Sequence, residues 1–391
     1  MHRSLIPFVV LSLVLAGCAP SDEEAERTAP EAAATLDFEG TAAVLLERLD
    51  LQAGERVLLV GMPGRFDPLV PHLRSGIASA GAVDLGAWSE AGATPSEWST
   101  DFTASLAASG EGLMDLLRSV DASVMLPGPT PGHTVYGALQ DVLREGHGRT
   151  VHFHWAGAYL MDGTLREPDA EVDAFYQRVL RDTDYAGLGA AQRRFEAAIR
   201  GATVRVTTPA GTDVSFRVGD RPVTRQDGDA SARRAESALN LIDREVELPA
   251  GAIRVAPLEQ TVQGRIAFPP AYWGEELVEG LLLSFEDGLV VQVTADSNSE
   301  AVESEMEVQG SAARAFREFA LGFNPLLAIP GEGEPWIPYY GYGAGVVRLS
   351  LGDNTELGGT VGGGYVRWNF FTDATVTVDG EVWVDGGRLV R

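Results

Sequence analysis

Cysteine is nearly absent. Of 391 residues only Cys18 carries a thiol, so no disulfide can close within this sequence and stability must come from a packed core. Lysine is missing altogether, and all 30 basic residues are arginine. That excludes a lysine Schiff base and the usual P-loop cation. Positive charge is scarce against 56 acidic residues, and the formal net charge of −26 repels nucleic acid and anionic headgroups, so no nucleic-acid partner is expected. Beyond the first residues, no apolar run reaches the length of a membrane helix. Neither a Gly-x-Ser-x-Gly turn nor a Ser-His-Asp arrangement is readable.

The N-terminus is distinctive. Arg3 precedes an apolar run from Leu5 to Ala16, and Leu15-Ala16-Gly17-Cys18 places small residues before the one cysteine. The segment resembles a bacterial lipoprotein signal. The resemblance implies a signal peptide over 1–17, lipid on Cys18, and a membrane anchor in the cell envelope. Ala19 rather than Asp points to the outer membrane, facing the periplasm. Residues 18–36 are rich in Ala, Glu, Pro and Ser with almost no large apolar side chains, and read as a flexible tether.

Residues 37–201 alternate strand and helix signals. Runs at Arg56–Gly61, Val83–Trp88, Ala122–Leu126 and Thr150–Trp155 read as buried strands. Helical spacing falls between them over 67–79, 112–120 and 134–145, and continues over 169–181 and 185–199. This pattern predicts an α/β domain with an open, mostly parallel sheet. From 202 to 391 the texture changes to short alternating strands with Gly, Asp and Pro turns, including Asp287-Gly288 and Asp379-Gly380 hairpins. That half predicts a strand-rich α+β domain, with one helix expected over 300–319.

Two candidate sites sit in the first half. Gly61-Met62-Pro63-Gly64 follows a strand, as a phosphate cradle does, but it is not GxGxxG and proline removes a donor, so a plain turn is expected. His152 and His154 lie two apart on a strand and share a face, a spacing that suits zinc, with His133 or Asp162 as a possible third ligand. The competing reading, hydrogen-bonded histidines at a domain junction, is the one expected.

The second half carries an ordered set of segments: Pro209-Ala210-Gly211-Thr212-Asp213, Leu248-Pro249-Ala250-Gly251, Val255-Ala256-Pro257, Ala320-Leu321-Gly322-Phe323-Asn324-Pro325, Gly345 to Gly352 and Tyr365 to Asn369. Together they resemble the thermophilic aminopeptidase T family, and weaker matches at 45–48 and 54–58 extend the likeness into the first half. The resemblance implies a homodimer and two divalent metal ions (zinc, cobalt or manganese) that activate a water for peptide cleavage. It also implies six metal ligands. Glu318 keeps one, while Ala252, Arg348, Thr355, Arg367 and Asn369 stand at the others. Guanidinium groups donate only and stay charged, so they cannot ligate metal.

The expectation is therefore no metal cofactor and no assured enzyme activity. Glu318, Arg348, Arg367, Trp368 and Asn369 are expected to bind a peptide or amino-acid-like ligand instead. Aromatic residues Trp336, Tyr339, Tyr340, Tyr342 and Tyr365 are expected either to line that pocket or to pack in the core or a dimer interface. One rival is a working metalloaminopeptidase with replacement ligands around Glu318, namely Glu259 and Asp373, with Asp353 or Glu356 as further candidates. Another is a non-catalytic dimeric scaffold.

Overall fold

The first strand, β1 (Arg56–Gly61), is an apolar run buried along almost its whole length. Successive side chains point to opposite faces, and β1 packs both ways: Val57 and Leu59 join one core, Leu58 and Val60 another. Helices Phe38–Leu49 and Leu69–Ser79 cover the first face, and Thr134–Arg144 covers the second. The computed structural model describes residues 36–331 and 333–391. The expected signal peptide, Cys18 and the tether up to residue 35 lie outside the described residues. No helix among those described is long and apolar enough to cross a membrane.

Nine further strands organise the site: β2 (Val83–Ser89), β3 (Ala122–Met125), β4 (Thr150–Phe153), β5 (Thr224–Arg225), β6 (Glu245–Leu248), β7 (Ala252–Val255), β8 (Phe316–Gly322), β9 (Val347–Gly352) and β10 (Val366–Phe371). The first sheet has the order β6-β4-β3-β1-β2 and every neighbour is parallel, as the strand–helix alternation predicts. The second is antiparallel in the order β10-β9-β8-β7-β5. A third sheet of eight strands is also antiparallel and holds the Asp287-Gly288 hairpin, whose turn residues both have positive φ (50° and 79°).

The joint expected at residue 202 is crossed. β6 lies beyond it, yet pairs with β4 in the first sheet, Glu247 opposite His152. Residues 36–391 accordingly form one compact unit.

One expected element is wrong. The helix read over 300–319 spans only Ser299–Gln309 and stops at Gly310, whose φ is 78°. The chain then enters β8, whose seven residues are all buried. Alanine, arginine and glutamate over 311–320 favour a helix by propensity. Burial on both faces of a central strand overrides that preference.

The Gly61–Gly64 segment is a turn closed on itself, with the Gly64 N–H donating to Asp67 at 2.6 Å.

Candidate functional site

The register of the second sheet assembles a charged cluster. Arg254 on β7, Ala320 on β8, Arg348 on β9 and Phe370 on β10 lie in one row. Glu318, Ser350 and Trp368 form the next row on the same face. A register irregularity between Phe316 and Glu318 re-aims the strand there. It accompanies an unusual outcome, in that neighbours Arg317 and Glu318 enter the same network.

Glu318 is fully buried and meets three arginines. Arg348 approaches Oε1 with Nη2 at 2.6 Å and donates from Nε at 2.8 Å. Arg254 and Arg317 reach Oε2 at 3.1 and 3.3 Å. Arg254 also donates to Glu356 at 2.9 Å, and Arg317 joins it there. Glu247 lies 3.6 Å from Arg254 and accepts from the Tyr342 hydroxyl. Three carboxylates thus balance three guanidinium groups. Burial alone would raise the Glu318 carboxyl, but the charges of Arg254, Arg348 and Arg317 hold it far below the usual carboxylate range.

A second buried cluster adjoins it through β6, whose Glu245 and Glu247 share a face. His152 Nδ1 lies 2.8 Å from Glu245, Gln140 donates to the same carboxylate at 2.9 Å, and the Tyr136 hydroxyl donates to it as well. His154 stacks on His152 with ring centroids 3.7 Å apart. Its Nε2 is enclosed and unpartnered. Burial, then the charges of His152 and Arg254, push the His154 imidazole well below its ordinary value. The structure joins neither proposed third ligand to this pair. His133 accepts from Thr130 N–H at 2.9 Å, and Asp162 accepts from Thr164 N–H at 2.9 Å. Among the described residues, no three His, Cys, Asp or Glu side chains converge as a metal site.

Beside this face opens a cleft of about 560 Å³, walled by Tyr159, Pro269, Pro270, Tyr272, Arg367 and Trp368. Trp368 lines the cleft, and its ring lies 5.2 Å from the Arg348 guanidinium. The aromatic residues singled out in the sequence are mostly packing. Trp336, Tyr339 and Tyr342 are buried, while Tyr340 meets Trp368 edge-on at 5.1 Å. Tyr365 donates to Glu305 at 2.6 Å.

Comparison with known proteins bears on this frame. Residues 202–326 match the family model described as thermophilic metalloprotease (M29). AmpT from Thermus thermophilus aligns with a TM-score of 0.55 at 17% identity, covering 90% of this chain and 99% of that one. The fold is aminopeptidase T-like. A 2,5-dihydroxypyridine dioxygenase from Pseudomonas putida KT2440 is similar too, with a TM-score of 0.60 at 16% identity over 90% of this chain and 96% of that one. Curated proteins give no match.

Within the aminopeptidase T-like frame, the six positions do not stay together. Glu318 and Arg348 pair. Ala252 is fully buried opposite Gly322. Thr355 donates its hydroxyl to Asp353 at 2.6 Å, and Asp353 also caps Gly363 and Gly364.

The expected contact between Arg367 and Glu318 is absent. Arg367 pairs with Glu305 at 3.2 Å, donates to the Tyr272 carbonyl at 2.7 Å and lies 3.6 Å from the Trp273 ring. The reason is strand parity: Arg367 and Asn369 sit opposite Leu351 and Leu349, so Trp368 alone faces Glu318's row. Asn369 donates to the Leu349 carbonyl at 3.4 Å.

The replacement ligands also scatter. Glu259 accepts from Asn354 and Thr360 and pairs with Arg221, and Asp373 is exposed. Only Glu356 reaches the network. Sequence reasoning missed Arg254, Arg317 and Glu247. For the two arginines a signal was available as a charge inside an apolar strand, in Ala252-Ile253-Arg254-Val255 and Phe316-Arg317-Glu318-Phe319.

Proposed function

We propose that this chain is an aminopeptidase T-like lipoprotein of the cell envelope that binds a peptide or amino-acid-like ligand in the Trp368 cleft without cleaving it. The reading rests on one observation, the occupation of Glu318 by Arg254, Arg317 and Arg348. At an effective dielectric of about 20, a unit-charge pair roughly 4 Å apart interacts by about 4 kcal/mol, so a divalent ion beside one guanidinium meets about 8 kcal/mol of repulsion. The residues present therefore do not fit a metal pair at this carboxylate. Fold alone leaves the chemistry open, because one of the two similar structures is named a dioxygenase.

The aromatic, proline-lined cleft with a single arginine suits a partly apolar ligand bearing a carboxylate. Elemental analysis of dialysed protein is expected to find no stoichiometric zinc, cobalt or manganese. A randomised peptide pool is expected to raise the melting temperature without release of amino acids. Retention of one or two metals per chain with chelator-sensitive release of N-terminal residues would overturn the proposal. Mass spectrometry of the mature protein tests the anchor, with lipid expected on Cys18.

A further inference from the structure

The cleft touches Val366, Arg367, Trp368, Asn369 and Phe370, five residues in unbroken succession. Side chains of a strand alternate between faces, so a cavity lying over one face touches every second residue. A cavity touched by five in a row lies off the strand's edge. β10 is the outermost strand of its sheet and pairs only with β9. Among the described residues, no backbone N–H or C=O from Val366 to Phe371 bonds any other backbone segment. The lining also includes Pro269 and Pro270, which have no N–H to offer that edge.

Two residues lining the cleft carry an enclosed donor without a partner, Arg367 Nε and Trp368 Nε1. A smaller groove of about 210 Å³ shares Met161, Pro269, Ile337 and Phe370 with the cleft and runs on to Asp373. The combined trough therefore follows β10 from Arg367 near its start, a cation already paired with Glu305 through Nη1 but with Nε unpartnered, to a carboxylate just past its end.

Resting on the peptide-binding reading above, we propose that the ligand is an extended peptide that adds to β10 as an antiparallel strand. Antiparallel addition sets the peptide's C-terminal carboxylate beside Arg367 and its amino end toward Asp373. Parallel addition would put carboxylate against carboxylate. Six residues at about 3.4 Å each span about 20 Å, which sets the ligand at roughly five or six residues. Recognition is then mostly main chain to main chain and tolerant of sequence. Single amino acids cannot make the pairing and are expected to bind far more weakly.

Calorimetric titration of the purified chain tests this with an Ala/Val/Ser hexapeptide bearing free termini. Two N-methylated versions accompany it, one methylated at odd amides and one at even amides. In a strand, only one of those sets faces β10, so one version is expected to lose binding and the other to keep it. C-terminal amidation is expected to weaken binding about tenfold, as loss of one charge-assisted contact does. That loss should vanish in Arg367→Gln. The methylated pair carries the test even where that variant does not fold. Equal binding of both methylated peptides and the parent overturns edge pairing while leaving a peptide cleft intact. No binding of the parent overturns both readings.

Discussion

Two buried polar networks lie side by side, and their carboxylates are held by different partners. Around Glu318 the positive charge comes from guanidinium groups, which stay charged at any working pH. Around Glu245 the partners are an imidazole, a phenol and an amide. The first network is an electrostatic fixture. The second contains two stacked imidazoles, and the Nε2 of His154 is enclosed without a partner. The buried carboxylate is satisfied in one case by fixed counter-ions and in the other by hydrogen-bonding side chains.

Breaking the fixed network should cost most. Glu318→Gln leaves three buried guanidinium groups facing a neutral amide, and Arg348→Ala leaves the carboxylate short of its closest partner. Each is expected to lose about 3–5 kcal/mol in chemical denaturation. A loss below 1 kcal/mol in both would show that the network relaxes into water, contrary to its burial. Glu245→Gln is the matching lesion in the other network. It keeps hydrogen-bonding capacity, and about 1–3 kcal/mol is expected from the same measurement.

Acid should separate the two networks by pH window. His154 is held below its ordinary value of 6.5, so the folded state binds fewer protons than the unfolded state as pH falls through 6.5. Stability is then lost on acidification, at up to about 1.4 kcal/mol per pH unit. His154→Gln should flatten that limb. The carboxyl of Glu318 is depressed from 4.5, so its contribution is full above 4.5 and is lost only as pH falls below that value. Glu318→Gln should flatten this lower limb and leave the upper one. Denaturation midpoints across pH 3 to 8, roughly the range these two windows cover, distinguish the two. The smallest effect is expected from the exposed Arg205–Asp213 pair, where Asp213→Asn should leave stability unchanged within error.

Local pattern carried most of the architecture. The parallel sheet, the Asp-Gly hairpins and the strand-rich texture of the second half were legible because burial and turn chemistry act over a few residues, while β8 read as helix. The pairing of Glu318 with Arg348 was legible. Its setting was not. Arg254, Arg317, Glu356 and Glu247 converge from four segments, and Arg254 stands 64 positions from Glu318. Sequence spacing holds no record of that meeting. Arg367 failed for a narrower reason. Choosing which residue of Arg367-Trp368-Asn369 faces the cluster depends on register, and a slip of one position exchanges the faces.

The crossing strand Glu245–Leu248 has a practical consequence for dissecting this protein. Residues 202–326, the stretch recognisable by family resemblance, include a piece of another sheet. Expressed alone, that stretch would carry β6 as an orphan, and the fragment ending at 201 would present the bare edge of β4 to solvent. Such open edges seed aggregation. The two halves are stitched rather than hinged, so a proteolytic cut near residue 202 should leave a nicked but associated particle on gel filtration. Fragments that separate cleanly in native buffer would mean that the stitch carries little of the cohesion.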